Sequence, residues 1–138
     1  MRLIEHKTKD KGDIGVAFVI ADLTKNGIKV ALPISDHLPF DLIAISATGE
    51  LSRLSVKFRC IVRNFIEITT LSSYANKNGN HIKAADKSTF DAVATYCPDT
   101  ELVYYLTVND LNNQSRRYIR PGTTAEQFAD VQRIWRRV

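Results

Sequence analysis

An α/β or α+β domain, with a central mixed β-sheet flanked by helices, is predicted by three observations. A helical apolar pattern near the start stops at Asn26-Gly27. A meander of short apolar or alternating runs follows, each about the length of a strand. A capping-box spacing at Thr123-Thr124-Ala125-Glu126 then opens a last helical pattern. Helices and strands in that order pack as layers around one sheet. The chain has 138 residues, which fits a single domain over 1–138 with one sizeable core.

The first helix is expected over residues 11–26, because apolar residues at 14, 16–21 and 23 give it a broad buried face. Residues 28–32 read as a short strand ended by Pro33, and 35–39 as a loop. Residues 40–46 are apolar on both faces apart from Asp41, so they belong in the middle of a covered sheet. Thr48-Gly49 marks a turn. The next strand, 51–62, alternates. Leu54, Val56, Phe58, Cys60 and Val62 face one way; Arg53, Ser55, Lys57, Arg59 and Arg63 face the other. Residues 64–71 continue the meander, and Asn78-Gly79 signals a hairpin or loop tip. Two more strands, 90–96 and 102–108, are joined by Cys97-Pro98-Asp99-Thr100. The last helix is expected over about 124–137, with Phe128, Val131, Ile134 and Trp135 on its apolar side. Arg133, Arg136 and Arg137 stand where its dipole favours cations. That apolar side, Trp135 included, is the expected oligomer interface.

A hydrophobic fraction of 44% with 25% charged residues is that of a soluble globule. Net charge is +4, which permits a polyanionic partner without requiring one. Cys60 and Cys97 both lie in apolar runs and read as buried free thiols; no CxxC pair suggests zinc. Residues 1–13 alternate charged and polar groups, unlike a signal peptide, and no apolar run approaches the roughly 20 residues of a membrane span. A cytoplasmic protein is expected.

The chemistry concentrates on Asp41 and Lys57. A carboxylate in a run that reads as a buried strand is costly unless a cation meets it, and the next run supplies Lys57. Ser55 and Lys57, two apart on one strand, share a face. An acid and a lysine on adjacent strands can hold a divalent metal and a phosphate. Arg53, Arg59 and Arg63 extend that face into a cationic stripe, with no acid in sequence between Glu50 and Glu67. The competing reading is a solvated alternating strand with Asp41 in a turn.

Gly12-Asp13-Ile14-Gly15, Gly27, Pro33, Phe40-Asp41-Leu42-Ile43 and Leu54-Ser55-Val56-Lys57 follow one another at a spacing that resembles the PD-(D/E)xK nucleases. Within that superfamily they resemble the group I intron-associated homing endonucleases. Phe90-Asp91-Ala92-Val93, Tyr96-Cys97-Pro98-Asp99-Thr100 and Val103-Tyr104 are similar to the same family's later strands, so the likeness spans roughly residues 11 to 108. The resemblance implies a restriction-endonuclease-like core and a Mg²⁺-dependent endonuclease, with Mn²⁺ as a substitute, acting on specific sites in double-stranded DNA. It implies Asp41 as principal metal ligand, the Val56 carbonyl as a further ligand and Lys57 as the catalytic lysine. Two positions depart from the pattern. Ser55 stands where the family carries Glu, Asp or Gln, and its hydroxyl reaches a metal only through a water. Val16 stands where many relatives carry a helical glutamate; Asp13, about one turn earlier, either takes that role or is a helix N-terminal charge.

Since one site cuts one strand, a double-strand break implies a homo-oligomer, a dimer or dimer of dimers, on a near-palindromic target. The cations expected to meet DNA are Lys11, Arg53, Arg59, Arg63, Lys77, Lys83, Lys87, Arg116 and Arg117. The lysines around Asn78-Gly79 and the Arg116-Arg117-Tyr118-Ile119-Arg120 cluster read equally as solvated surface. His37 reads as a loop residue within reach of Asp41; His6 and His81 have no ligand spacing with it. Asp91 reads as a buried structural acid. Tyr74, Tyr104, Tyr105 and Tyr118 read as packing residues. The alternatives to an active homing-type enzyme are a catalytically impaired DNA-binding protein on the same fold, a Holliday-junction resolvase, or a basic scaffold without nucleic acid.

Overall fold

A computed structural model of the protein describes residues 8–135, apart from the side chains of residues 72–75. His6, Arg136, Arg137 and the Tyr74 ring fall outside the described residues. The helix α1 (Thr8–Lys25) ends at Gly27, whose φ of 78° only a glycine adopts freely. A five-stranded mixed sheet follows, built from β1 (Lys29–Ala31), β2 (Leu42–Ile45), β3 (Leu51–Phe58), β7 (Ala92–Cys97) and β8 (Leu102–Thr107), in that spatial order. All neighbours are antiparallel except β3 and β7, which run parallel. The crossover between those two carries β4 (Ile66–Thr69) and the hairpin β5 (Leu71–Asn76) and β6 (Gly79–Ala84). β4 pairs with β9 (Arg116–Ile119) as a separate ribbon.

The sheet is covered on both faces, as its apolar central strands require. On one face Val19 and Leu23 of α1 pack on Leu42, Leu54, Ala94 and Tyr105. On the other, Val93, Cys97, Tyr104 and Leu106 pack under Ile66, Ile68 and Ile119 of the ribbon. Tyr105 donates its hydroxyl to Asp22 Oδ2 at 2.6 Å, tying α1 to β8; burial first, then that bond, pushes its phenol pKa up. No described helix is long and apolar enough to cross a membrane.

Three expectations need correction. The strand expected to reach residue 62 stops at Phe58, where its partner β7 reaches the Cys97-Pro98 turn. Beyond it, Arg63 and Asn64 take left-handed φ values of 52° and 71° and close a tight bridge between Val62 and Phe65. Cys60 is therefore exposed rather than buried, while Cys97 is buried as expected. The last helix is not α-helical: the described residues form two 3₁₀ helices, Ala125–Phe128 and Val131–Trp135. Their apolar side chains pack on this chain's own core; Phe128, Val131 and Ile134 are buried, and Trp135 is partly covered. Arg133 does lie in the last turn of the second 3₁₀ helix, where side-chain and backbone partners hold it. It pairs with Asp110 at 2.8 Å, donates to the Tyr105 carbonyl and lies 4.6 Å over the Phe128 ring.

Candidate active site

The antiparallel pair β2–β3 ends at Leu42 opposite Leu54, one residue after Asp41. Asp41 is thus outside the strand and exposed, not buried within it. Its backbone N–H donates to the Leu54 carbonyl at 2.9 Å, prolonging the ladder by one bond. Its carboxylate then does what the next strand residue would have done: Oδ2 accepts the Val56 N–H at 2.7 Å. The first partner of Asp41 is therefore a backbone amide, where the sequence suggested a lysine. Within a strand, alternate residues direct their N–H and C=O to the same side. The Val56 carbonyl thus emerges beside Asp41, past the end of β2. Oδ1 of Asp41 accepts no hydrogen bond from the described residues.

Ser55 and Lys57 point to the opposite side of the sheet from Leu54 and Val56, with Lys57 level with Thr95 of β7. Asp41, Ser55 and Lys57 line one cavity of about 590 Å³, together with Lys83 and Asp86. Lys57 is half-buried and makes no ion pair among the described residues. Desolvation first, then the nearby Arg59 charge, lowers its pKa from the ordinary lysine value; Asp41 opposes the shift. Lys57 also lines an adjoining cleft of about 440 Å³ with Lys11, Arg59 and Arg116. The hairpin β5–β6 walls both spaces, through Lys83 and Ala84 on one and Leu71 and Ile82 on the other.

The other predicted residues divide by their surroundings. Arg53 is not a free member of a cationic stripe. Asp91 Oδ2 accepts its backbone N–H at 2.7 Å and its Nε at 3.2 Å, and the Asp91 N–H returns a bond to the Arg53 carbonyl. Asp91 is structural, as expected: it fixes the start of the parallel β3–β7 pair. Arg63 sits on the turn beyond β3. Lys87 donates to the Gln114 carbonyl, and Arg117 to the Asp110 carbonyl. Arg116 pairs with Glu67 at 3.2 Å. Lys77 is exposed at the tip of the β5–β6 hairpin. Asp13 is exposed on α1, whose cleft-lining residues are Thr8, Lys11 and Gly12. His37 is exposed and lies 3.6 Å from Asp36. Tyr104 and Tyr105 are buried packing residues; Tyr118 is exposed and meets Phe65 edge-on.

Two acids at these spaces were not foreseen: Glu67 in the cleft and Asp86 on the Asp41 cavity. Glu67 alternates with Ile66 and Ile68 on β4, a readable strand signal. Asp86 caps the 3₁₀ helix Lys87–Thr89 by accepting the Ser88 N–H, and the Ser88 hydroxyl and N–H hold its carboxyl below the usual range. Asp-x-Ser before a short turn is the visible form of that cap. Among the described residues, no three His, Cys, Asp or Glu side chains cluster as metal ligands.

A sequence profile of the PD-(D/E)XK endonuclease family matches residues 6–134, nearly the whole chain. The chain belongs to the PD-(D/E)XK endonuclease family. No curated protein sequence matches it. Among solved structures it is similar to a bacterial homing endonuclease, I-Ssp6803I, with a TM-score of 0.69 and 21% identity over 86% of this chain and 81% of that one. At that identity the likeness concerns the fold, one helix on a mixed five-stranded sheet of the restriction-endonuclease type. Nucleases of this family typically use divalent metals, and the donors present fit a hard, hydrated cation: one carboxylate with an open oxygen, one backbone carbonyl and one hydroxyl.

Proposed function

We infer that the chain is a divalent-metal-dependent DNA endonuclease of the homing type, acting at specific sites in double-stranded DNA as a homo-oligomer inside the cell. The observation that carries the reading is the junction at β2 and β3. There the Asp41 carboxylate, anchored on the Val56 N–H, opens onto the cavity shared by Ser55 and Lys57. Asp41 and the Val56 carbonyl would hold Mg²⁺ or Mn²⁺, with Ser55 reaching it through water. The cation would supply Lewis-acid charge stabilisation and a hydroxide-like nucleophile near neutral pH. Lys57, part-shielded from water, neutralises charge that builds on the phosphate, where a fixed ammonium acts more strongly than in bulk solvent. Lys11, Arg59 and Arg116 hold neighbouring phosphates, with Arg116 exchanging Glu67 for one of them.

Supercoiled plasmid carrying a selected target, incubated with Mg²⁺ or Mn²⁺, tests the reading. Cleavage by the wild type and its loss in Asp41→Ala, by about a hundredfold or more, is the expected result. Tight binding with uncut DNA under every metal condition would sink the enzyme. Ser55 favours a second reading, a DNA-binding protein whose nuclease site has lost a ligand. Ser55→Gln separates the two: gained cleavage marks an intact site short of one ligand, and no gain marks a lost enzyme. Four-way junctions against linear duplex test the resolvase alternative.

A further inference from the structure

The loop of residues 32–40, between β1 and β2, carries apolar side chains that the fold leaves uncovered. Leu32, Ile34 and Leu38 are exposed, Ile34 completely, and none joins either core cluster. Pro33 and Pro39 fix φ near the two ends of the loop. Across its tip the His37 N–H donates to Ser35 Oγ at 3.2 Å. The loop is short and restrained, so it holds these side chains outward rather than folding them under itself.

The position of the loop indicates its occupant. It runs directly into Asp41, and Leu38 and Pro39 line the same cavity as Asp41, Ser55, Lys57 and Lys83. A polyanion drawn in by Lys57 and Lys83 meets Leu38 at once. The apolar faces of stacked bases are the part of a nucleic acid that an isoleucine or leucine can cover. Proteins that insert such side chains through the minor groove unstack a base step and bend the duplex. A preformed loop lowers the ordering cost of doing so. Asp36, exposed and 3.6 Å from His37 Nε2, is the acid of the tip.

We propose that Ile34 and Leu38 form an apolar wedge that enters a base step next to the phosphate at Asp41, turning that phosphate toward Lys57. The proposal rests on the nuclease reading above. Its test needs no knowledge of the target sequence and no cutting. Closed circular plasmid is relaxed by a metal-independent topoisomerase in EDTA, with and without excess protein. The wild type is expected to lower the linking number, and the double variant Ile34→Ser/Leu38→Ser to retain the plasmid in a gel shift while losing that change. Plasmid retained by the wild type with an unchanged linking number overturns the wedge and leaves the nuclease reading standing. Persistence of the change in the double variant also overturns it. So does sedimentation showing that the variant dissociates an oligomer, which would assign the loop to contacts between copies. Failure of the wild type to bind plasmid at all overturns the nuclease reading first, and the wedge with it.

Discussion

At the scale of the residue, Lys57 is where chemistry and stability conflict. Its ammonium is half-buried, lacks an ion pair among the described residues and is crowded by Arg59, so the fold disfavours its charge. Below both its folded and its unfolded pKa such a lysine is charged in either state, and there it carries the full cost of burial. As pH rises, the folded state releases the proton first, the unfolded state binds more protons, and stability increases. The window runs from the lowered folded value up to the ordinary lysine value of about 10.4. Lys57→Met is therefore expected to be more stable than the wild type at about pH 7, with a lead that narrows toward about pH 10. Urea denaturation at both values measures it. A destabilised variant at neutral pH, or a lead that does not narrow, would show that Lys57 has a compensating partner. In the same variant, cleavage is expected to fall by about 10²–10⁴. A gain in stability alongside a loss of turnover separates a functional lysine from a solvated surface one.

At the scale of elements, the site depends on how closely α1 approaches β3. Gly15 is buried, and a Cβ placed on it would lie 3.4 Å from the Lys57 carbonyl and from Val56 Cγ1. That is ordinary contact, and a mid-helix glycine costs roughly 0.5–1 kcal/mol relative to alanine. Gly15→Ala is thus expected to stabilise by about that amount with cleavage intact, whereas Gly15→Leu should push α1 off the strand that carries Lys57 and lower both Tm and turnover. Thermal melts of the two variants check the pair; an alanine that destabilises would mean the backbone cannot yield even slightly. This packing was partly legible. The apolar run of residues 14–23 announced a helix packed on the sheet, but α1 buries only the stripe Gly15, Val19 and Leu23 and leaves Ala17, Phe18 and Ala21 exposed; alternation along 51–58 put Ser55 and Lys57 on one face. The strand's end was not legible, because it is set by its partner's turn at Pro98 and by the left-handed pair Arg63-Asn64, both remote from the alternation itself. Nor was the environment of Asp41: an acid one residue before a strand and an acid inside it look alike in sequence. The C-terminal helix was misread for a visible reason. Ala125, Phe128, Val131 and Ile134, all buried, recur every third residue, which is the period of a 3₁₀ helix rather than of an α-helix.

For the molecule as a whole, the placement of charge decides more than its sum. A net charge of +4 is modest, and several cations are already engaged: Arg53 by Asp91, Arg133 by Asp110, and Arg117 by a carbonyl. Lys11 and Arg59 differ, since neither makes an ion pair among the described residues and both line the cleft that Lys57 joins to the Asp41 cavity. Each cation that meets a phosphate releases condensed counterions, so the logarithm of affinity falls linearly with the logarithm of salt, by about 0.9 per contact. Lys11→Gln and Arg59→Gln should therefore each reduce the magnitude of that slope by about 1 and weaken binding to all sequences alike. Arg53→Gln should leave the slope unchanged. It instead strips the Asp91 carboxylate of its guanidinium bonds at the start of β3–β7, at a cost of about 1–2 kcal/mol in urea denaturation given its partial exposure. Salt titrations of binding to one duplex, run with all three variants, measure the contrast. Equal changes in slope for the cleft cations and for Arg53 would mean that DNA follows the sheet's whole basic face and not the cleft.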